Sequence, residues 1–353
     1  MKIKLAILEK DQIYLARIVS VLSTKYADHF EIYSFTSPDM ALSSLDEARI
    51  DVLVAAEAFE IDIARLPKRC GFAYLVESAN LDTLRGQKAI GKFQKADLIY
   101  RGILSIYSDH AGSISGIKQG DGTATFLVFT PVSGGCGSST AAAACALHFA
   151  AMGKKTLYLN LERLGSADLF FDGEGQFTIS DIIFALKSKK ANFPLKLESC
   201  VRQDPRGVFF FSQSKFALDM LELSQDDFLH LISELRQAGT YDIIVLDLDF
   251  SLDKKMMKVY SQAHTWVWVG DGSEISNEKI SRAFTAVSTL EQTTDIPLTG
   301  KISLLYNKFS GKAGMPPADT GIRTVGGAPK YERATTAQVL GQLSAMGIFD
   351  GLL

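Results

Sequence analysis

The chain has 353 residues, 47% of them apolar, with 37 Lys and Arg against 40 Asp and Glu for a net charge of −3. That length exceeds what one hydrophobic core organises, so two domains of roughly 110 and 230 residues are expected. The weakly acidic balance argues against nucleic acid as a partner, and a charged fraction of 22% describes a globular chain rather than a disordered or fibrous one.

Residues 1–9 alternate like a strand, without the long apolar core or small-residue cleavage site of a signal peptide. Short apolar runs at 4–8, 30–35, 52–56, 72–76 and 97–100 alternate with helix-like stretches, which predicts a small parallel α/β domain over residues 1–107. Residues 108–123, SDHAGSISGIKQGDGT, are rich in Gly, Ser and Asp without periodicity and are taken as the linker. The second domain spans 124–353. Its apolar runs at 125–129, 156–159, 208–211, 243–246, 266–269 and 302–306 are separated by helical stretches, as in a parallel sheet covered on both faces, with ligands expected beyond the carboxyl ends of the strands. Trp266 and Trp268 are expected on opposite sides of the sheet, as core residues rather than a stacking platform. Lys187, Lys189 and Lys190 read as a solvated helix end. The longest small-residue run, 141–152, is too short to span a bilayer, so no membrane insertion is expected. Cys70, Cys136, Cys145 and Cys200 form no CxxC pair, which argues against zinc and fits a reducing compartment.

The strand TFLVFT leads through Pro131, Val132, Ser133, Gly134, Gly135, Cys136, Gly137, Ser138, Ser139 and Thr140 into the helix AAAACALHFAAMG. A glycine loop between strand and helix lets the backbone wrap an anion with its N–H groups pointing inward, and the helix start adds partial positive charge. Ser139 and Thr140 place hydroxyls where one can ligate magnesium and the other contact a phosphate; a tight turn with helix caps is the alternative. Cys136 in this loop is either a reactive thiol or a passive small residue.

The loop resembles the deviant Walker motif of the MinD and ParA ATPases, KGGxGKTT, which sandwich two ATP molecules in a dimer. Here it reads SGGCGSST: Ser133 stands at the signature lysine that reaches across the dimer, and Ser138 at the phosphate-contacting lysine. Phosphoryl transfer rests on positioning and electrostatics, so the loss of both cations is expected to impair hydrolysis far more than binding. In LYLNLER, Asn160 and Glu162 match two family acids, and Asn160 cannot act as a general base. In YDIIVLDLDF, Asp247 matches the Walker B residue that holds magnesium through water; the alternative for a lone strand-end aspartate is a cap or turn. After ISLLY, Asn307 and Lys308 stand where the family has an adenine-reading asparagine, and Pro329 is placed at the border of the base.

Residues 1–107 resemble a response-regulator receiver of flavodoxin-like fold. Glu9 and Asp11 match its acidic region, with solvated loop and helix-cap roles as the alternative. Ala56 occupies the acceptor position and cannot be phosphorylated, and Glu57, one residue on, would face the other side of the sheet. Ser78 is the expected hydroxyl and Arg101 stands where a lysine is expected. The resemblance therefore implies a kept fold and a lost phosphotransfer.

An atypical receiver ahead of a lysine-poor MinD-like domain resembles the TadZ/CpaE family, which localises the assembly machinery of Flp (tight-adherence, type IVb) pili at a cell pole. The resemblance implies ATP and Mg²⁺ as ligands, a homodimer, pilus-assembly proteins as partners and a cytoplasmic location. Two alternatives stand beside it: a working ATPase in which Arg163 or Lys308 replaces the lost lysines, and a scaffold that binds no nucleotide.

Overall fold

The computed structural model describes residues 2–78, 80–110, 124–189, 192–311, 314 and 320–353. These residues fall into two compact units, one built on 2–110 with Gly175–Phe177 and Phe184–Cys200, the other on 124–174, Thr178–Ile183 and Val201–Leu353. Linker residues 111–123 and Lys190 lie outside the described residues, while residues 108–110, expected in the linker, form the end of a helix.

The first unit contains strands β1 (Ile3–Leu8), β2 (Phe30–Phe35), β3 (Val52–Ala56), β4 (Gly71–Val76), β5 (Thr83–Leu84) and β6 (Gln87–Gly91), and helices α1 (Gln12–Lys25), α2 (Pro38–Glu47) and α3 (Ala96–His110). The sheet order is β2-β1-β3-β4-β6-β5, parallel except for the short β5–β6 edge pair. Counting β6 as the fifth parallel strand, this is the flavodoxin-like 2-1-3-4-5 order. β1, β3 and β4 are apolar on both faces because helices cover both, and Leu5, Val54, Leu75 and Ile103 lie together in one buried cluster.

The fifth strand is not where the sequence reading puts it. Residues 97–100 open α3, whose Ile99, Ile103 and Ile106 recur with helical spacing on a buried face. The strand is instead the less apolar QKAIG of β6, whose last three residues are buried.

The second unit is built on β7 (Thr125–Pro131), β8 (Thr156–Asn160), β9 (Arg202–Gln203), β10 (Phe209–Phe210), β11 (Ile243–Asp247), β12 (Thr265–Gly270), β13 (Ile302–Phe309) and β14 (Arg323–Pro329). Its helices are α4 (Ser138–Ala151), α5 (Ala167–Phe170), α6 (Ile179–Lys187, whose last residues pass to the first unit), α8 (Gln225–Ala238), α9 (Lys254–Ser261), α10 (Glu274–Thr294) and α11 (Thr336–Ser344), while α7 (Phe193–Cys200) belongs to the first unit. The order β14-β13-β12-β7-β11-β8-β10-β9 is parallel throughout except for β9–β10, and β7 sits centrally between β12 and β11. The edge strand β14, with two glycines and an exposed start, carries too weak an apolar signal to be read from sequence.

Two features hold the centre. Six successive residues of α4, Ala141–Ala146, are buried, and their small side chains let the helix lie close on the sheet. Trp266 and Trp268 are both fully buried, but on the same side of the sheet: residues two apart in a strand share a face, and the rings meet edge to face at 5.2 Å. Trp266 Nε1 donates to Thr130 Oγ1 (3.0 Å). Phe129 of β7 is fully buried, in register with Val267 of β12. Phe129→Ala is expected to cost about 3–5 kcal/mol, read as an earlier urea transition in the fluorescence of the two tryptophans. An unshifted midpoint would contradict a close-packed sheet core.

Candidate functional site

Strand β7 ends at Pro131 and the chain turns through the glycine loop into α4. Gly135 (φ +76°) and Gly137 (φ +81°) take left-handed conformations that favour glycine. Gly134 and Gly135 are exposed, and a Cβ on either would meet nothing within 4 Å. Ser133 is buried instead, its Oγ 2.9 Å from Ser276 Oγ at the start of α10, so the side chain at the signature-lysine position turns under the loop. Cys136 is buried, and burial pushes its thiol up to about 11, which makes it a passive residue rather than a reactive one. Ser138 Oγ, at the first residue of α4, is buried without a hydrogen-bond partner.

Beside the loop, the ends of β8 and β11 bring four polar side chains into one network. Asp247 pairs in register with Asn160 and is wholly buried. Its Oδ2 accepts from Tyr158 OH (2.7 Å) and from Asn160 Nδ2 (2.9 Å). Asn160 Nδ2 also lies 2.9 Å from Glu162 Oε2, and Ser139 Oγ donates to Glu162 Oε1 (3.0 Å). Burial, and then the charge of Glu162, push the Asp247 carboxyl well above the ordinary carboxylate range; the donors Tyr158 and Asn160 oppose the shift. An amide at 160 can donate to both acids, where a carboxylate would add a third negative charge. Gly165 leaves room for it, since a Cβ there would lie 2.5 Å from Asn160 Oδ1.

These residues fit the ligands the loop implies. Asp247 Oδ1 is buried without a hydrogen-bond partner and Ser139 supplies a hydroxyl oxygen, which are hard donors suited to magnesium. The partnerless Ser138 hydroxyl and the unobstructed glycines suit a phosphate.

Asn307 and Lys308, at the end of β13, lie against the loop. Asn307 Nδ2 donates to Cys136 O (2.9 Å) and Gly137 O (3.2 Å), and Lys308 Nζ donates to Gly135 O (2.7 Å). Gly137 is what allows this approach, because a Cβ there would lie 2.5 Å from Asn307 Nδ2. Pro329 ends β14 in register with Phe309, is exposed, and lies one residue beyond Lys308 along the pairing. Thr140 is half-buried in the first turn of α4.

In the first unit, Glu9 follows β1 and is buried. Its Oε1 accepts from Lys10 N (2.7 Å) and Asp11 N (3.0 Å), and its Oε2 pairs with Lys92 Nζ at 2.6 Å. Asp11 is the cap of α1, accepting from Ile13 N and Tyr14 N. Lys92 follows β6, the last parallel strand, and its ammonium sits 5.6 Å over the Tyr14 ring. Burial and the nearby Glu9 carboxylate raise the Tyr14 hydroxyl to about 12. Arg101, expected at the lysine position, lies inside α3; displacing the last strand by ten residues displaced the basic residue with it. Ala56 ends β3 buried, Glu57 is half-buried and Ser78 is exposed. Lys92 was detectable in sequence only as the lysine after QKAIG. Tyr158 and Ser276 carried no signal beyond their strand and helix.

The doubly wound sheet with a glycine loop after its central strand defines the second unit as a P-loop NTPase-like α/β fold. Its structural neighbours include a ParA family ATPase from Chlorobium tepidum TLS, at 17% identity and a TM-score of 0.50 over 66% of this chain and 97% of that one. The MinC:MinD cell division complex of Aquifex aeolicus (17%, 0.49, 65% and 94%) and MinD with Mg-ADP from Pyrococcus horikoshii OT3 (16%, 0.46, 62% and 94%) are also similar. No curated protein matches the sequence. Residues 1–108, just under a third of the chain, match the model of the TadZ-like receiver domain, and with the ParA-like fold behind it the chain is similar to TadZ/CpaE-like proteins.

Two outcomes follow for the front unit. Acetyl phosphate is expected to leave it unmodified by mass spectrometry, because Ala56 offers no carboxylate; an acyl-phosphate adduct on Glu57 or Asp51 would contradict this. Lys92→Met, which strands the buried Glu9 charge, is expected to cost about 3–5 kcal/mol in urea unfolding. The double variant with Glu9→Gln should lose less, and additive losses would show that the pair is not coupled.

Proposed function

We propose that this chain is an ATP-binding localisation and assembly factor for Flp (tight-adherence, type IVb) pili. It works in the cytoplasm at a cell pole as a nucleotide-responsive homodimer that contacts pilus-assembly proteins and hydrolyses ATP weakly or not at all. The observation that carries the reading is the pairing of a TadZ-like receiver domain, residues 1–108, with a glycine loop whose two lysine positions are Ser133 and Ser138.

In this reading the loop Gly134–Thr140 cradles the phosphates, Ser139 and Asp247 hold Mg²⁺, and the region of Asn307, Lys308 and Pro329 borders the rest of the nucleotide. Bound magnesium would neutralise phosphate charge. Hydrolysis lacks support because Asn160 can donate to Asp247 and Glu162 but cannot take a proton from water. Ligand binding can still act as a switch, provided the dimer binds ATP better than the monomer does. The absence of a helix long and apolar enough to cross a membrane, among the described residues, is consistent with recruitment through partner proteins.

Calorimetry with MgATP tests the site. Wild type is expected to bind. Gly137→Val, which has neither the φ nor the room beside Asn307, should abolish binding. Phosphate release should stay below about 0.01 per second. Equal affinities for the two proteins would remove the loop from the site, and turnover near one per second, abolished by Asp247→Ala, would make the chain a working ATPase.

A further inference from the structure

The glycine loop contains no cation of its own. The lysine positions hold Ser133, turned under the loop to Ser276, and Ser138, whose hydroxyl is buried without a partner. A polyphosphate placed there would meet backbone N–H groups and hydroxyls but no positive side chain from the loop. The strand end next to it supplies one.

β13 and β14 pair Tyr306 with Gly327 and then Phe309 with Pro329, so Asn307 and Lys308 together stand opposite the single Ala328. That is a β-bulge, which re-aims side chains at a strand end. In an unbroken strand, neighbouring residues point to opposite faces. Here both converge on the loop, because Lys308 adopts a left-handed backbone (φ +61°) that lysine seldom takes. Backbone outliers of this kind persist where the surroundings hold them and cluster at ligand sites.

The two side chains do different things at the loop. Asn307 is buried and ties down two loop carbonyls, of Cys136 and Gly137. Lys308 is exposed and places its ammonium on the carbonyl of Gly135, at the open apex of the loop. An ammonium has three N–H donors, and that single carbonyl is its hydrogen-bond partner among the described residues. The remaining donors are available to an anion in the cradle. Of the other basic residues near these strand ends, Lys330 follows β14, and Arg163 lines a 230 Å³ pocket with Leu164, Phe211 and Met220; neither side chain makes a hydrogen bond to the loop among the described residues.

We infer that Lys308 is the phosphate-contacting cation of this site, delivered from the β13 bulge in place of the lysines missing from the loop. This rests on the reading of the loop as an ATP site and assigns Lys308 to the polyphosphate rather than to the base. A lysine suits the task because its compact charge on a flexible stem can leave a carbonyl for a phosphate oxygen without moving the backbone.

The test is calorimetry of MgATP with the full chain as wild type, Lys308→Gly and Lys308→Arg. Glycine accepts the left-handed backbone, so Lys308→Gly removes the charge without straining the bulge. ATP affinity is expected to fall at least tenfold in Lys308→Gly and to return to within about threefold of wild type in Lys308→Arg. Lys308→Gly within twofold of wild type would overturn the assignment. So would Lys308→Arg binding as weakly as Lys308→Gly, because the effect would then come from loop geometry rather than charge. Wild type that binds no ATP would defeat the ATP reading itself, and the assignment with it; wild type that binds with Lys308→Gly unimpaired would defeat the assignment alone.

Discussion

The arrangement of the back domain depends on one buried carboxylate. Asp247 ends β11 next to the central strand β7, fully removed from water, with Glu162 close enough to raise its proton affinity further. A buried carboxyl group is tolerated only with hydrogen-bond partners around it, and Tyr158 and Asn160 supply them from the adjacent strand β8. Through Glu162 the same network reaches Ser139 in the first turn of α4, so strand ends, loop and helix start form one hydrogen-bonded body. The oxygen left without a partner, Asp247 Oδ1, lies in the same body as the hydroxyl of Ser139.

That network ties together the polar side chains at the loop and the strand ends. Ser133 is bonded to Ser276 and Asn160 donates to two acids, so these two side chains are held within the folded chain, while Ser138 Oγ and Asp247 Oδ1 stay without partners. In the front domain, Glu9 and Lys92 form a direct, nearly buried ion pair beyond the ends of β1 and β6. In both units these polar side chains are tied into contacts within the folded chain, at the ends of parallel strands.

Much of this was legible in the sequence where the signal was physical and strong. Long apolar strands and the glycine loop announced two parallel sheets and located β7, β11 and α4 closely. The legible part stopped where signals were short or local. QKAIG is a weak strand beside the apolar stretch LIYRGILSIY, and misplacing it carried the basic residue from Lys92 to Arg101. The two tryptophans were put on opposite faces although a spacing of two places them on one. Convergence of Asn307 and Lys308 on the loop was invisible because it depends on a bulge against β14, an edge strand with little apolar character. The tyrosine that holds Asp247 looks like any aromatic in a core strand until the neighbouring strand is in place.

If nucleotide acts as a positional switch, its binding must be coupled to assembly rather than to turnover. The side chain at the signature-lysine position is buried, so it does not reach outward to a second copy, and a dimer would have to form through other contacts around the exposed Gly134 and Gly135. The most direct measurement is the mass of the protein by light scattering over a range of concentrations, with and without MgATP. The account predicts a dimer favoured by ATP, with some dimer persisting at high concentration without it. A monomer under every condition would contradict the switch.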